Sequence, residues 1–313
     1  MKHKKILLII LALIVINIYF LFSVIFNKPI ENKMKVIFFD VGQGDASLIM
    51  AENGANILID GGQDKTVINK LDKYIPLWNR KLDIVVLTHP HSDHVSGLAD
   101  VLKKYPVGEV WMTGVLQNTP EYIEFLKIIR DKKIGVKIVW AAAVHGTKDI
   151  FKNTKIEILY PNKNLFQQSV DNLNNSSIVL KISYKNKSFL FAGDIEKEVE
   201  DELRGQPPLN SLPVASSGQA LKGDGILEAD VLKIAHHGSD TSSSDSFFER
   251  VKPSFAVISL GANNDFGMPS LRVLKRLERI GAKVYRTDID GDIIMETDGS
   301  EISKVWTSVV TAH

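Results

Sequence analysis

Apolar residues are arranged along this chain in two ways. At the amino terminus they form one unbroken run. Ile6 to Phe26 is 21 residues without a charge, and only Asn17 and Ser23 in it are markedly polar. As a helix rising 1.5 Å per residue this run spans about 30 Å, the hydrocarbon thickness of a bilayer. Lys2, Lys4 and Lys5 precede it. Such cations favour the cytoplasmic side, which puts the rest of the chain outside. The run ends Ser23-Val24-Ile25-Phe26-Asn27, bulky where a cleavage site needs small residues. An uncleaved, single-pass signal anchor is therefore expected rather than a removed signal peptide. Residues 1–33 are read as anchor and polar linker, and residues 34–313 as the second domain.

From Met34 onward, short apolar runs alternate with amphipathic stretches. The pattern predicts strands at Met34–Asp40, Ala46–Met50 and Asn56–Asp60, the last two joined by the turn Glu52-Asn53-Gly54. A helix at Val67–Tyr74 and a strand at Asp83–Leu87 come next, then a loop of histidines and helices at Val95–Lys104 and Glu121–Lys132. Strands are predicted at Val136–Trp140, Lys155–Leu159, Ser177–Tyr184 and Ser188–Ala192, then a helix at Glu196–Arg204. Pro207–Gly225, rich in Pro, Gly and Ser, reads as a surface loop. Beyond it come strand Asp230–Ala235, helix Asp245–Val251, strand Phe255–Leu260, helix Ser270–Ile280, and strands Lys283–Arg286, Asp292–Thr297 and Lys304–Val309. The two halves share this layout, which implies an α/β sandwich of two sheets with helices outside.

Composition narrows the chemistry. With 44% hydrophobic and 24% charged residues, disorder and low complexity are excluded. Cysteine is absent, so disulfides, thiol nucleophiles and Fe–S clusters are excluded. The formal net charge of +1 conceals a split. Five of the 38 basic residues and one of the 37 acidic ones precede Met34, leaving 33 and 36 for the second domain. A globally basic nucleic-acid surface is not expected there. Contact with DNA would need a local patch, for which Lys185, Lys222, Lys233 and Arg286 lie near the motif loops in sequence.

The densest chemical signal is Thr88-His89-Pro90-His91-Ser92-Asp93-His94, three histidines and an aspartate after an apolar strand. Imidazole and carboxylate are common ligands of zinc, manganese and iron. A polar surface turn is the alternative, and this spacing argues against it. Five of the eight histidines fall in two clusters, 89–94 and 236–237. His145 stands alone and is read as a bystander. Leu232-Lys233-Ile234-Ala235-His236-His237-Gly238-Ser239 again delivers histidine at a strand end, with Ser239 able to donate to an anionic substrate. Asp194, after Phe189-Leu190-Phe191-Ala192-Gly193, and Asp60, after Ile57-Leu58-Ile59, repeat the pattern with carboxylates. Asp194 reads as a metal bridge and Asp60 as a residue that orients a ligand histidine.

Together these motifs resemble the metallo-β-lactamase superfamily. Phe39-Asp40-Val41-Gly42-Gln43-Gly44-Asp45-Ala46, Asn174-Asn175-Ser176-Ser177-Ile178-Val179-Leu180, Gly193-Asp194, His236-His237-Gly238-Ser239 and Tyr285-Arg286-Thr287-Asp288-Ile289-Asp290-Gly291 are similar to one branch of it. That branch is the carboxy-terminal domain of the DNA-uptake channel protein ComEC. The likeness runs from about Met34 to Gly299. It implies an αβ/βα metallo-β-lactamase sandwich with the metal site at one edge between the sheets.

The resemblance also implies two divalent ions, zinc or manganese. His89, His91 and Asp194 would hold one, and Asp93, His94 and His236 the other, with His237 as the substitute for His236. Asp93 would also orient the attacking water, so it is the catalytic candidate. Asn175 stands where typical members have a third histidine, which implies weaker zinc retention and tolerance of manganese. Gly267-Met268-Pro269 replaces a Gly-His-Pro segment of the branch. With a single apolar span in this sequence, a stand-alone hydrolase anchored outside a bacterial membrane is expected rather than a multi-pass channel, with DNA or another phosphodiester as the substrate that the resemblance implies. A small-molecule hydrolase for lactones or phosphocholine esters, and a non-catalytic DNA-uptake accessory protein, are the competing readings.

Overall fold

The structure, a computed structural model, describes residues 4–6, 10–17, 32–141, 153–205 and 225–309. The expected membrane span lies largely outside these residues, as do His145, Lys222 and the loop from Pro207 to Asp224. Among the described residues no helix is long and apolar enough to cross a membrane. Met1–Asn32 and Lys33–His313 are separate compact units, and the second carries all the predicted chemical motifs.

The described residues of this second unit form two sheets. The first contains β1 (Met34–Phe38), β2 (Ser47–Met50), β3 (Asn56–Ile59), β4 (Leu82–Val86), β5 (Val107–Met112), β6 (Gly135–Ile138), β13 (Ile293–Thr297) and β14 (Ile302–Thr307), in the order β14-β13-β1-β2-β3-β4-β5-β6. The second contains β7 (Thr154–Tyr160), β8 (Val179–Tyr184), β9 (Lys187–Phe191), β10 (Val231–Lys233), β11 (Phe255–Ile258) and β12 (Lys283–Arg286), in the order β12-β11-β10-β9-β8-β7. In each sheet one part is antiparallel and one parallel: β3 to β6 run parallel, as do β9 to β12.

Side-chain alternation along the strands builds the layers. In β1, Val36 and Phe38 face the second sheet, where Phe38 stacks on Phe191 at 5.7 Å between ring centroids. Ile37, between them, faces the other way and joins the core under the helices α1 (Thr66–Tyr74), α2 (Ser92–Lys104) and α3 (Pro120–Lys132). The outer face of the second sheet is covered by α4 (Lys197–Gly205), α5 (Asp245–Val251) and α6 (Leu271–Arg279). This is the predicted two-sheet sandwich with outer helices.

Three local expectations are corrected. β5 is not among the predicted strands, because Gly108 and Glu109 break its apolar run and only its second half is fully buried. The histidine loop is shorter than expected: Ser92, Asp93 and His94 form the first turn of α2. β10 ends at Lys233, so both later histidines lie in a turn beyond it, Ala235–Gly238.

One buried carboxylate ties the first helix to the strand ends near the site. Asp292 accepts from Lys70 Nζ at 2.6 Å, Tyr74 Oη at 2.9 Å, Lys73 Nζ at 3.2 Å and the Asp40 amide at 3.1 Å. Burial pushes its pKa up, but the Lys70 hydrogen bond and charge outweigh this and hold it below the ordinary carboxylate value. A depressed folded pKa contributes stability above the unfolded value and loses it as pH falls. Asp292→Asn should therefore destabilise the protein by about 2 kcal/mol at neutral pH. In chemical denaturation the gap to wild type should shrink below about pH 4. A gap that stayed constant down to that pH would contradict this role.

Candidate metal centre

Strand ends from both sheets supply the site. Asp60 follows β3, His89 to His94 follow β4, Asp194 follows β9, and His236 and His237 follow β10. Asp60, His236 and His237 have positive φ angles of 56°, 48° and 52°. Each such conformation costs about 1 kcal/mol or more for a residue with a Cβ. They cluster here because the chain must turn sharply to aim polar groups into the gap between the sheets. Gly44 is required for a different reason: a Cβ there would lie 2.0 Å from the Asp93 carbonyl. Its absence lets Asp45 donate its amide to that carbonyl at 3.2 Å.

Asp194 is the centre. Its buried Oδ2 lies 3.3 Å from His94 Nε2, 3.4 Å from His237 Nε2 and 3.9 Å from His89 Nε2. Asp93 Oδ2 is 3.2 Å from His237 Nε2 and 3.9 Å from His94 Nε2. The far nitrogen of each of these imidazoles is held. His94 Nδ1 donates to Asp60 Oδ2 at 2.9 Å, and His237 Nδ1 donates to the Ser259 carbonyl at 2.9 Å. Thr88 Oγ1 contacts His89 Nδ1 at 3.2 Å and itself donates to Asp60 Oδ2 at 2.7 Å. With Nδ1 held in this way, Nε2 of His94 and His237 points inward and, once deprotonated, offers the lone pair a metal requires. His91, half-buried, sits on the open side with Nδ1 3.0 Å from His89 Nε2.

The donor set fits a divalent ion. Ligand atoms of Asp93, His94, Asp194 and His237 lie within 4.8 Å of one another. His94 Nε2 and Asp194 Oδ1 are buried without a hydrogen-bond partner, a costly arrangement unless something else binds there. His89, 3.9 Å from Asp194 Oδ2, and His91, which contacts His89, flank this set on its more open side. Electrostatics agree. Burial would lower the pKa of His94, yet Asp194, Asp60 and Asp93 raise it well above the ordinary value. His237 is raised in the same way by Asp194 and Asp45. Burial and the charge of His94 hold His89 well below.

Asp60 thus sits behind His94, while His89, Asp93, His94 and Asp194 come together and His91 lies against His89. Three other expectations are corrected. His237, not His236, joins the cluster. The turn after β10 sends the His236 ring the other way, where Nδ1 lies 3.2 Å from Thr241 Oγ1 and 3.3 Å from Glu196 Oε1. Asn175 turns away too: its Oδ1 accepts from the Glu196 amide at 2.8 Å and its Nδ2 reaches Glu198 at 3.4 Å. Asn174, beside it, lies 3.5 Å from His236 Nε2. Ser239 is occupied locally with Thr241 at 3.1 Å. The proposed DNA cations also have other duties. Lys233 is only 2% exposed and donates to Asp45, Arg286 forks onto Asp288, and Lys185 donates to the Asp298 carbonyl.

Sequence reasoning missed Asp45 and Lys233 as parts of the site. Asp45 Oδ1 lies 3.4 Å from His237 Nδ1, so this buried pair backs a ligand. The Gly44-Asp45 step inside the first motif was the available signal.

Known proteins are similar to this chain. Residues 39–262 match the metallo-beta-lactamase superfamily. The chain is 28% identical over 281 residues to ComE operon protein 3 of Bacillus subtilis, covering 84% of this chain and 33% of that protein. It is 29% identical over 265 residues to competence protein ComA of Neisseria gonorrhoeae, covering 83% and 32%. It is 27% identical over 258 residues to recombination protein 2 of Haemophilus influenzae, covering 81% and 28%. The chain thus spans about a third of the length of the curated relatives it matches.

Since the surrounding carboxylates raise the pKa of His94 and His237, an ion there competes with protons, and metal uptake should release them. Calorimetry in buffers of different ionisation enthalpy should show about one to two protons leaving per centre loaded. Affinity should be higher at pH 8 than at pH 6, because fewer protons compete. Proton-neutral uptake would contradict the arrangement.

Proposed function

The chain belongs to the metallo-beta-lactamase superfamily, and from that premise we propose a metal-dependent hydrolase that cleaves phosphodiesters, with DNA as its substrate. In this proposal the amino-terminal segment anchors the domain at the outer face of a bacterial membrane. The observation that carries the chemistry is the convergence of His89, His94 and His237 on the carboxylate of Asp194, with Asp93 beside them. The relatives named for competence and recombination support DNA as the substrate.

His89, His91 and Asp194 would hold one ion and Asp93, His94, His237 and Asp194 the other. When bound, such ions supply hydroxide near neutral pH and polarise a phosphodiester oxygen. The protein's own part is positioning. Asp60 and the Ser259 carbonyl fix two imidazoles, and Asp45 with Lys233 backs the second. Asp93, whose side chain is 26% exposed, is the most open carboxylate of the set and is placed to hold a proton of the attacking water. The nucleophile is water, in keeping with a chain that has no cysteine.

Paired variants test the assignment. His237→Ala should lose at least one equivalent of bound metal and about a thousandfold or more in hydrolysis of bis-p-nitrophenyl phosphate and single-stranded DNA. His236→Ala should keep its metal. Asn175→His should not change the preference between zinc and manganese, because that side chain faces Glu196 and Glu198. Normal metal content in His237→Ala, together with loss in His236→Ala, would overturn the ligand set.

A further inference from the structure

A cleft of about 570 Å³ opens beside Asp93. One wall is the segment Gly261–Phe266 that follows β11, and the other is built from Gly42, Gln43 and Gln63 at the ends of β1 and β3. The two walls are fastened together. Gln43 Oε1 accepts from the Gly261 amide at 3.3 Å, and a Cβ on Gly261 would lie 2.8 Å from the Gln43 nitrogen. The segment is also cinched on itself. Asn264 Nδ2 donates to the carbonyls of Gly261 and Met268 at 3.2 and 2.7 Å, and its Oδ1 accepts from the Met268 amide at 3.0 Å.

On this tied segment Phe266 is 68% exposed. A single exposed apolar side chain is ordinary on a protein surface. This one lines a cleft that also holds a candidate metal ligand, and the other groups there are equally selective. Among the described residues no lysine or arginine lines the cleft, whereas Asp93 and the exposed Asp265 both do, so a phosphate would be repelled there. Gln63 is exposed, and no hydrogen bond of its carboxamide appears among the described residues. An aromatic face, a carboxamide and no cation suit a flat, uncharged ring with donors and acceptors at its edge. They do not suit a phosphate, which the metal ligands would take.

We infer that this cleft receives the unpaired base of the nucleotide next to the scissile phosphodiester, stacked on Phe266 with its edge toward Gln63. The inference rests on the phosphodiesterase reading and sharpens it, since a base must leave its duplex partner to enter the cleft. Stacking tolerates every base, because each has a π face. The site should therefore select single strands over duplexes without selecting sequence.

The test is binding, read by fluorescence anisotropy. It uses the full chain loaded with manganese and a short labelled phosphorothioate oligonucleotide, single-stranded, duplex, or abasic with the same backbone. Wild type should bind the single strand more tightly than the duplex or the abasic strand. Phe266→Ala should weaken single-strand binding about tenfold and leave abasic binding unchanged. Gln63→Ala should weaken it by a smaller factor. Phe266 is exposed, so its removal leaves no core cavity, and unchanged metal content confirms an intact site. If wild type holds abasic and base-bearing strands equally, or if Phe266→Ala binds the single strand as well as wild type, the base site is overturned and the phosphodiesterase reading stands. If wild type binds none of the three, both fall.

Discussion

A buried carboxylate surrounded by imidazoles is the constraint on which the rest of this molecule depends. Asp194 sits at the end of β9 with Nε2 atoms of three histidines within 3.9 Å. Taking such a charge out of water costs several kcal/mol unless partners compensate. Compensation reaches outward in layers: imidazoles first, then Asp60, Asp45 and the Ser259 carbonyl on their far sides, then Lys233 behind Asp45. Each layer also fixes the direction of the one inside it. The same groups that stabilise the buried charge therefore aim the cluster for an ion.

The sandwich brings those layers together. Asp60 and the His89–His94 segment come from one sheet, and Asp194 and His237 from the other. Only packing of the two inner faces, through contacts such as Phe38 on Phe191, brings the donors within reach. Three of the left-handed non-glycine residues, Asp60, His236 and His237, lie at the same edge, where about 1 kcal/mol or more per residue is offset by the rigid core below. Catalysis of the proposed kind needs positioned groups far more than it needs a reactive side chain.

Much of this was legible in the sequence, because the chemistry is written at strand ends. An apolar run closing on Asp60, His89 or Asp194 signals both the strand and the group it delivers. The two-sheet layout followed from the repeated order of strands and helices. What was not legible turned on single bonds. Nothing in His236-His237 says which ring turns inward; two left-handed residues in succession decide it. Asn175 accepts from the Glu196 amide while Asn174 donates to the Glu196 carboxylate, a division that the two adjacent asparagines do not announce. Lys233 reads as a solvent cation, yet it lies in a central strand of the second sheet and is buried against Asp45, an ion pair between residues 188 positions apart. Pairings of that kind depend on tertiary closure, which no local pattern reports.

Central to the proposed chemistry is that Asp194 is shared by two sets of imidazole ligands, one of which ends in His237. Anomalous diffraction at the manganese edge, on crystals of the manganese-loaded protein, tests this most directly. Two peaks are predicted to flank the Asp194 carboxylate, one ligated by His237 Nε2 and one beside His89 and His91. A peak on the His236 ring with none at His237, or no peak at Asp194, would contradict it.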